Sequence, residues 1–298
     1  MPHLKALIFG AGAAGAAAYQ HVSRTHEIIG FVDNDPNKTG TLLHERPILS
    51  PSAITELAFD RIFIASEYFE QIARQLQETH GLPPDIITLL PANTLSDFNI
   101  GEAGNRRRAE QVLFTVTNTL QYHNIPYYVD AGTLLGIIRD NALIPWDTDL
   151  DLALPASHIE PCYQALTGAL PELERLYDCV WQITRHTATN AFGPIRSGDL
   201  RCFKLTPETT DGSLPTLDIF IKYIEADTMY YVLASRGFIM PAAHIESLES
   251  LTFKGHIINI PCQPKTYLAR HYGKDWHIPK KDWNLGMLNN TVVFAKNS

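Results

Sequence analysis

Three aspartates stand at alternate positions, Asp147, Asp149 and Asp151, in the run PWDTDLDLAL. An extended chain has a side-chain period of two, so these carboxylates are expected on one strand face, with Leu150, Leu152 and Leu154 on the opposite, core-facing side. Carboxylates this close repel one another, and a bound Mg²⁺ or Mn²⁺ with oxygen ligands is the usual compensation. A calcium EF-hand does not fit, because no central Gly and closing Glu follow Asp147 at the required spacing.

Just upstream, Tyr127–Asp130 reads as a short strand, Ala131-Gly132-Thr133 as a turn, and Leu134–Arg139 as the start of a helix. A helix beginning there aims backbone N–H groups at an anion. Thr133 is expected to supply the cap and a hydroxyl for a phosphate oxygen, and Gly132 leaves room for close approach. Arg139 is a candidate phosphate clamp. Lys204, in the strand-like run Arg201–Leu205, is a second candidate for phosphate, set against the plainer reading of a surface lysine.

The runs GTLLGIIR and IPWDTDLDL together resemble the signature of the LicD/fukutin-type phosphotransferases, which have a nucleotidyltransferase-like fold. Leu217-Asp218-Ile219-Phe220 resembles that family's third acidic strand, and Pro264–Pro279, PKTYLARHYGKDWHIP, its closing segment; the resemblance runs over roughly residues 107–290. Ala131 departs from the pattern, standing where many relatives carry a second Gly. The resemblance implies transfer of phosphocholine, ribitol phosphate or a similar phospho-alcohol. The donor would be a CDP-alcohol and the acceptor a sugar of a surface glycan, capsule or lipopolysaccharide, or a lipid-linked precursor. Asp149, Asp151 and Asp218 would hold the metal that bridges the donor's phosphates for in-line attack by the sugar hydroxyl. Asp147 with Asp149 is the alternative metal pair, and either Asp218 or Asp147 would be the general base.

A different unit precedes this one. Lys5–Phe9 is an apolar strand, Gly10-Ala-Gly12-Ala-Ala-Gly15 a G-x-G-x-x-G turn into an alanine-rich helix, and Ile28–Val32 a second strand ending at Asp33. That order meets the context test for a dinucleotide fingerprint, in which the glycines cradle a pyrophosphate and Asp33 meets a ribose. FGAGAAG and GFVDNDPNKTG resemble the small Rossmann-like domains of polysaccharide-biosynthesis proteins. NAD or another nucleotide is one reading of this unit, and a scaffold without a ligand is the other. No Tyr-x-x-x-Lys pair of a sugar epimerase or dehydrogenase lies within it.

Composition agrees with two modest cores in 298 residues, 45% of them hydrophobic. The expected fold class is α/β. A Rossmann-like parallel-sheet domain spans 1–95, a turn-rich linker 96–106, and a nucleotidyltransferase-like α/β domain with a mixed sheet 107–298. A net charge of −8 argues against a nucleic-acid-binding protein. Arg106-Arg107-Arg108 is a local exception that suits a solvated helix start better than an anionic surface. Cys162, Cys179, Cys202 and Cys262 are too widely spaced for a zinc cluster or a disulfide framework, and the histidines form no ligand pair. Lys5 followed by Ala6–Ala18 faintly resembles a signal peptide, but the glycines and the βαβ pattern weigh against it. Thiols without a disulfide pattern fit a reducing cytoplasm, the expected location; no apolar run is long enough to span a membrane, and peripheral membrane association is an option. Tyr267, Tyr272, Trp276 and Trp283 are candidates to stack on a base or sugar, with packing as their ordinary role. The loops 188–200 and 206–214 are candidate covers for a substrate.

Overall fold

The computed structural model describes residues 4–209, 212–288 and 290–294, and the chain is mixed α/β. It divides into two compact units. One is built from the described residues up to Asp97 with Lys281–Met287, the other from Phe98–Lys280 with the described residues from Leu288 on.

The first unit contains β1 (Leu4–Phe9), α1 (Ala13–Val22), β2 (His26–Val32), β3 (Leu42–Leu43), β4 (Arg46–Leu49), β5 (Arg61–Ile64), α2 (Phe69–Arg74) and β6 (Ile87–Leu89). Its sheet runs β3-β4-β2-β1-β5-β6, parallel except for the β3/β4 edge pair. A parallel strand is covered on both faces, and β1 shows it: Ala6 and Ile8 enter one core with Ala18, Val22 and Phe31, while Leu7 and Phe9 enter another with Ile62, Ile64, Ile72 and Leu76. The apolar run at the N-terminus is thus spent on a central strand and its following helix. Helix α2 passes into a π turn at Gln75–Thr79.

The second unit contains α3 (Asn105–Tyr122), β7 (Tyr128–Val129), α4 (Ala131–Asp140), β8 (Asp149–Pro155), α5 (Ile159–Tyr177), β9 (Trp181–Thr187), β10 (Leu200–Pro207) and β11 (Thr216–Glu225). It continues with β12 (Thr228–Leu233), β13 (Arg236–Pro241), α6 (Ala243–Glu246), β14 (Glu249–Phe253), β15 (His256–Ile260), α7 (Pro264–Tyr272) and β16 (Val292–Val293). The main sheet follows β16-β13-β12-β11-β10-β9, with β8 beside β11 and β7 beside β8. It is mixed, because β8 and β11 are parallel and their neighbours antiparallel. The stripe Ala109, Val112, Val116 and Leu120 makes α3 amphipathic and is buried to the last residue. On α5, Tyr163 stacks on Phe203 of β10, so this helix covers the sheet face to which Phe203 points. Asp218 and Lys204, at the intervening strand positions, face the other way.

Two local readings change. Strand β8 begins at Asp149, so Asp147 lies in the turn before it and not on the strand. Helix α4 begins at Ala131 with Asp130 as its cap, through a bond from the Ala131 N–H to Asp130 Oδ1 at 2.8 Å, so Thr133 is not the capping residue.

Candidate active site

Strand pairing gathers the carboxylates. In the parallel β8/β11 register Asp218 stands directly beside Asp151, and across the antiparallel β10/β11 pair Lys204 stands beside Asp218. The Lys204 ammonium lies 3.1 Å from the Asp218 carboxylate. Lys204 is therefore not a plain surface lysine, because a carboxylate of the cluster holds its ammonium. Burial works against its charge, but Asp218 and Asp149 outweigh that and raise its proton affinity above the ordinary lysine value.

Asp147 joins this group from outside the strand. A Cβ built on Gly132 would run into the Asp147 carboxylate and would lie 3.4 Å from Asp151 Oδ2. Gly132 is thus required by the aspartates that press against it, and its N–H is donated to Asp151 Oδ2 at 3.0 Å. The Thr133 hydroxyl, on a residue that is 2% exposed, accepts the Asp151 N–H at 2.8 Å. The first turn of α4 thereby binds protein carboxylate and backbone where the sequence suggested phosphate. Arg139 sits at the far end of α4, about 12 Å along its axis from Ala131 at 1.5 Å per residue. Its guanidinium holds Asp140 at 2.7 Å, so the structure does not bring this candidate phosphate clamp to the first turn of α4.

The electrostatics of the cluster are those of acids crowded in protein. Burial, then the neighbouring Asp149, pushes the Asp147 carboxyl well above the usual carboxylate range. Burial and Asp218, partly offset by Lys204, push Asp149 up to about 6. Asp151 is raised strongly by burial and then by Asp149, Asp147, Asp218 and Asp130. Asp147 and Asp149 keep some exposure, whereas Asp151 is only 7% exposed, so the mouth of the cluster lies on the side of the first two.

The donor set is all carboxylate oxygen, the chemistry Mg²⁺ and Mn²⁺ prefer. Among the described residues, however, no three His, Cys, Asp or Glu side chains already converge as a metal-holding group. Mg²⁺ is commonly held by one or two carboxylates with substrate phosphates and water, so an unconverged acidic group is compatible with an ion that arrives with its donor. None of the four cysteines is in a disulfide, and Cys162 and Cys202 are buried.

Sequence spacing missed a buried polar network behind the cluster. Asp130, 1% exposed, pairs with fully buried Lys222 at 2.7 Å and accepts the Tyr267 hydroxyl at 2.7 Å. Tyr267 in turn lies 3.2 Å from the Tyr128 hydroxyl, and Tyr231 meets His271 Nδ1 at 2.7 Å. One signal was available: Lys222 interrupts the apolar run of β11 at a position sharing the face of Asp218. Of the C-terminal aromatics, Tyr267 is thus a core hydrogen-bonding residue, and Tyr272 packs against His271, its hydroxyl pKa raised well above the ordinary tyrosine value by burial and then by Asp151 and Asp147. Trp276 contacts His277 edge-on, and Trp283 belongs to the first unit, where its carbonyl accepts the Ala92 N–H at 3.0 Å. The 188–200 loop is closed by backbone bonds Ala188 to Asp199 and Gly198 to Ala188, both 2.8 Å; the 206–214 loop lies partly outside the described residues.

In the first unit the glycines divide by role. Gly10 has φ +114°, and a Cβ there would approach the Ala65 carbonyl oxygen to 2.6 Å. A Cβ on Gly15 would strike the Gly10 carbonyl, whereas at Gly12 it would meet nothing within 4 Å. Asp33 accepts the Ala11 N–H at 2.8 Å and the Asp35 N–H at 2.9 Å and pairs with Lys38 at 2.9 Å. These contacts outweigh its burial and hold its carboxyl below the usual range.

Residues 124–263 match the family model described as LicD/FKTN/FKRP, nucleotidyltransferase domain, and residues 3–87 match C2185-like, N-terminal. The chain is 26% identical over 185 residues to "Ribitol-5-phosphate transferase FKTN" of Mus musculus, covering 60% of this chain and 35% of that protein. Against the Homo sapiens protein of the same name it is 24% identical over 196 residues, 64% of this chain and 38% of the relative. A third relative, "Uncharacterized protein RP689" of Rickettsia prowazekii, is 31% identical over 87 residues, 28% of this chain and 31% of its own length. The chain thus spans little more than a third of the length of the curated transferases it matches.

Proposed function

We propose that the second unit, whose residues 124–263 match the LicD/FKTN/FKRP nucleotidyltransferase model, transfers a phospho-alcohol from a CDP-activated donor to a sugar hydroxyl of a surface glycan or its lipid-linked precursor. The observation that carries this reading is the acidic group itself: Asp149 and Asp151 on β8, Asp218 beside Asp151 on parallel β11, and Asp147 closing from the turn. Their mutual repulsion creates a strong demand for a cation. Asp149, Asp151 and Asp218 are the ligands we assign to Mg²⁺ or Mn²⁺, which when bound would neutralise the donor's phosphate charge and orient the reacting phosphorus.

The chain's own groups do the rest. Lys204, held beside the cluster by Asp218, is the cation we assign to the phosphate charge of the departing cytidine monophosphate. Asp147 suits the general base better than Asp218, since its surroundings raise its proton affinity while the Asp218 carboxylate is engaged by an ammonium. It would take the proton of the attacking sugar hydroxyl as the new phosphodiester bond forms. No helix among the described residues is long and apolar enough to cross a membrane, and we propose action at the cytoplasmic face on a polysaccharide precursor. For the first unit, the open side of Gly12 supports a seat for a nucleotide pyrophosphate, NAD among the options.

The test is incubation with CDP-ribitol, CDP-choline and CDP-glycerol and a polysaccharide acceptor, with and without Mg²⁺, scoring acceptor-dependent CMP release and its loss in Asp149→Asn and Asp218→Asn. Metal-dependent CMP release abolished in both variants supports the transferase. Pyrophosphate release from CTP with a phospho-alcohol would replace it by nucleotidyl transfer, and full CMP release in both variants would remove the assigned site.

A further inference from the structure

We infer that Asp130, Lys222 and Tyr267 form a buried brace whose task is to hold Asp151 in position for the metal and the donor, a role that rests on the metal-site reading above. Lysine is almost never fully buried unless paired, and Lys222 has no exposed surface. It lies four residues beyond Asp218 on the same face of β11, so one strand carries both a proposed ligand and the cationic end of the brace. Its ammonium meets Asp130 at 2.7 Å and stands 3.2 Å from the centre of the Tyr231 ring.

Asp130 passes this anchorage on to Asp151. Its backbone N–H donates to the Asp151 carbonyl at 3.0 Å, and its side chain caps α4 through the Ala131 N–H. The next two residues of α4 complete the hold, Gly132 on the Asp151 carboxylate and Thr133 on the Asp151 N–H. Asp151 is therefore gripped at carbonyl, carboxylate and amide by Asp130, Gly132 and Thr133, and the turn that grips it is fixed to β11 by Lys222 and to α7 by Tyr267.

A stability role alone does not call for this chemistry. Apolar side chains of similar volume commonly replace a buried ion pair at no loss, because desolvating two charges offsets much of their attraction. What an ion pair with a hydrogen-bonded third partner supplies is direction. It fixes where the first turn of α4 points, and groups behind metal ligands set ligand orientation in this way.

The experiment measures Mn²⁺ affinity by electron paramagnetic resonance in the presence of CDP, on the full chain well below its unfolding temperature. Wild type is compared with Tyr267→Phe, Asp130→Asn and Lys222→Met, and with Leu173→Ala, which removes buried packing on α5 in the same unit. Tyr267→Phe, which deletes one hydroxyl, is expected to weaken Mn²⁺ about tenfold, while Leu173→Ala lowers stability and leaves the affinity unchanged. Should Lys222→Met or Asp130→Asn fail to fold, Tyr267→Phe decides. Wild-type affinity in Tyr267→Phe overturns the brace while leaving the metal site standing; no Mn²⁺ binding by the wild type overturns both.

Discussion

Acidification from pH 7 to pH 5 is expected to weaken the second unit through His271. This residue sits near the end of α7, 4% exposed, its ring stacked 5.1 Å from Phe238 and its Nδ1 2.7 Å from the Tyr231 hydroxyl. Burial pulls its pKa down to about 4, against an upward pull from Asp130 and a further downward push from Lys222. The folded value is depressed, so the unfolded chain takes up a proton first as the pH falls below about 6.5, and each proton it gains favours unfolding. The contribution is complete above about pH 6.5 and is lost progressively toward about pH 4, where the folded form also protonates. Two and a half pKa units correspond to about 3.4 kcal/mol in the limit, of which about 2 kcal/mol is already lost at pH 5. His271→Asn keeps an acceptor for Tyr231 and cannot titrate. Urea unfolding of both proteins between pH 4 and 7.5, followed by tryptophan fluorescence, gives the difference in stability at each pH. Changes common to both chains cancel, and the variant should gain on the wild type by about 2 kcal/mol between pH 7 and 5. A difference that stays flat across this range would refute the buried neutral imidazole.

Asp149 has the opposite sign: its folded pKa of about 6 lies above the ordinary carboxylate value through burial and then Asp218, so the metal-free chain should lose stability as pH rises from about 4 through 6. Calorimetry should show that loss reduced in Asp149→Asn, and Mg²⁺ with CDP should raise the melting temperature more at pH 8 than at pH 5. Ala131 holds φ +41° at the start of α4, a left-handed value that costs about 1–2 kcal/mol for a residue with a Cβ. Ala131→Gly, after about 0.4–1 kcal/mol of added unfolded-chain entropy, should therefore stabilise, and a lower melting temperature would contradict it. In the first unit Gly15→Ala should impair folding, whereas Gly12→Val should leave the melting temperature near wild type and abolish any shift given by NAD⁺ or another nucleotide. An equal nucleotide shift in Gly12→Val would leave this unit as a scaffold.

Much of the chain was legible because its signals are local. The twofold alternation of leucine with aspartate located β8, and the apolar residues of β11 left Asp218 on the opposite face. The glycine turn between an apolar strand and an alanine-rich helix located β1 and α1, and the stripe from Ala109 to Leu120 located α3. The mixed α/β character of the second unit followed from the same patterns. Errors arose where one residue's offset decided the outcome. Asp147 has the right spacing for the strand but precedes it, and Thr133 has the right type for a cap but sits three residues inside one.

By itself the sequence determined which segments are strands and helices, which of their faces are acidic, and where glycine is needed, since periodicity and steric limits act between near neighbours. Tertiary structure alone decided what those faces meet. Arg139 turned to its neighbour Asp140, Lys204 came to rest on Asp218 fourteen residues away, and Tyr267 reached Asp130 across 137 residues. Such pairings are set by strand register and helix packing between distant segments, and no spacing along the chain encodes a contact that exists only once the sheet has formed.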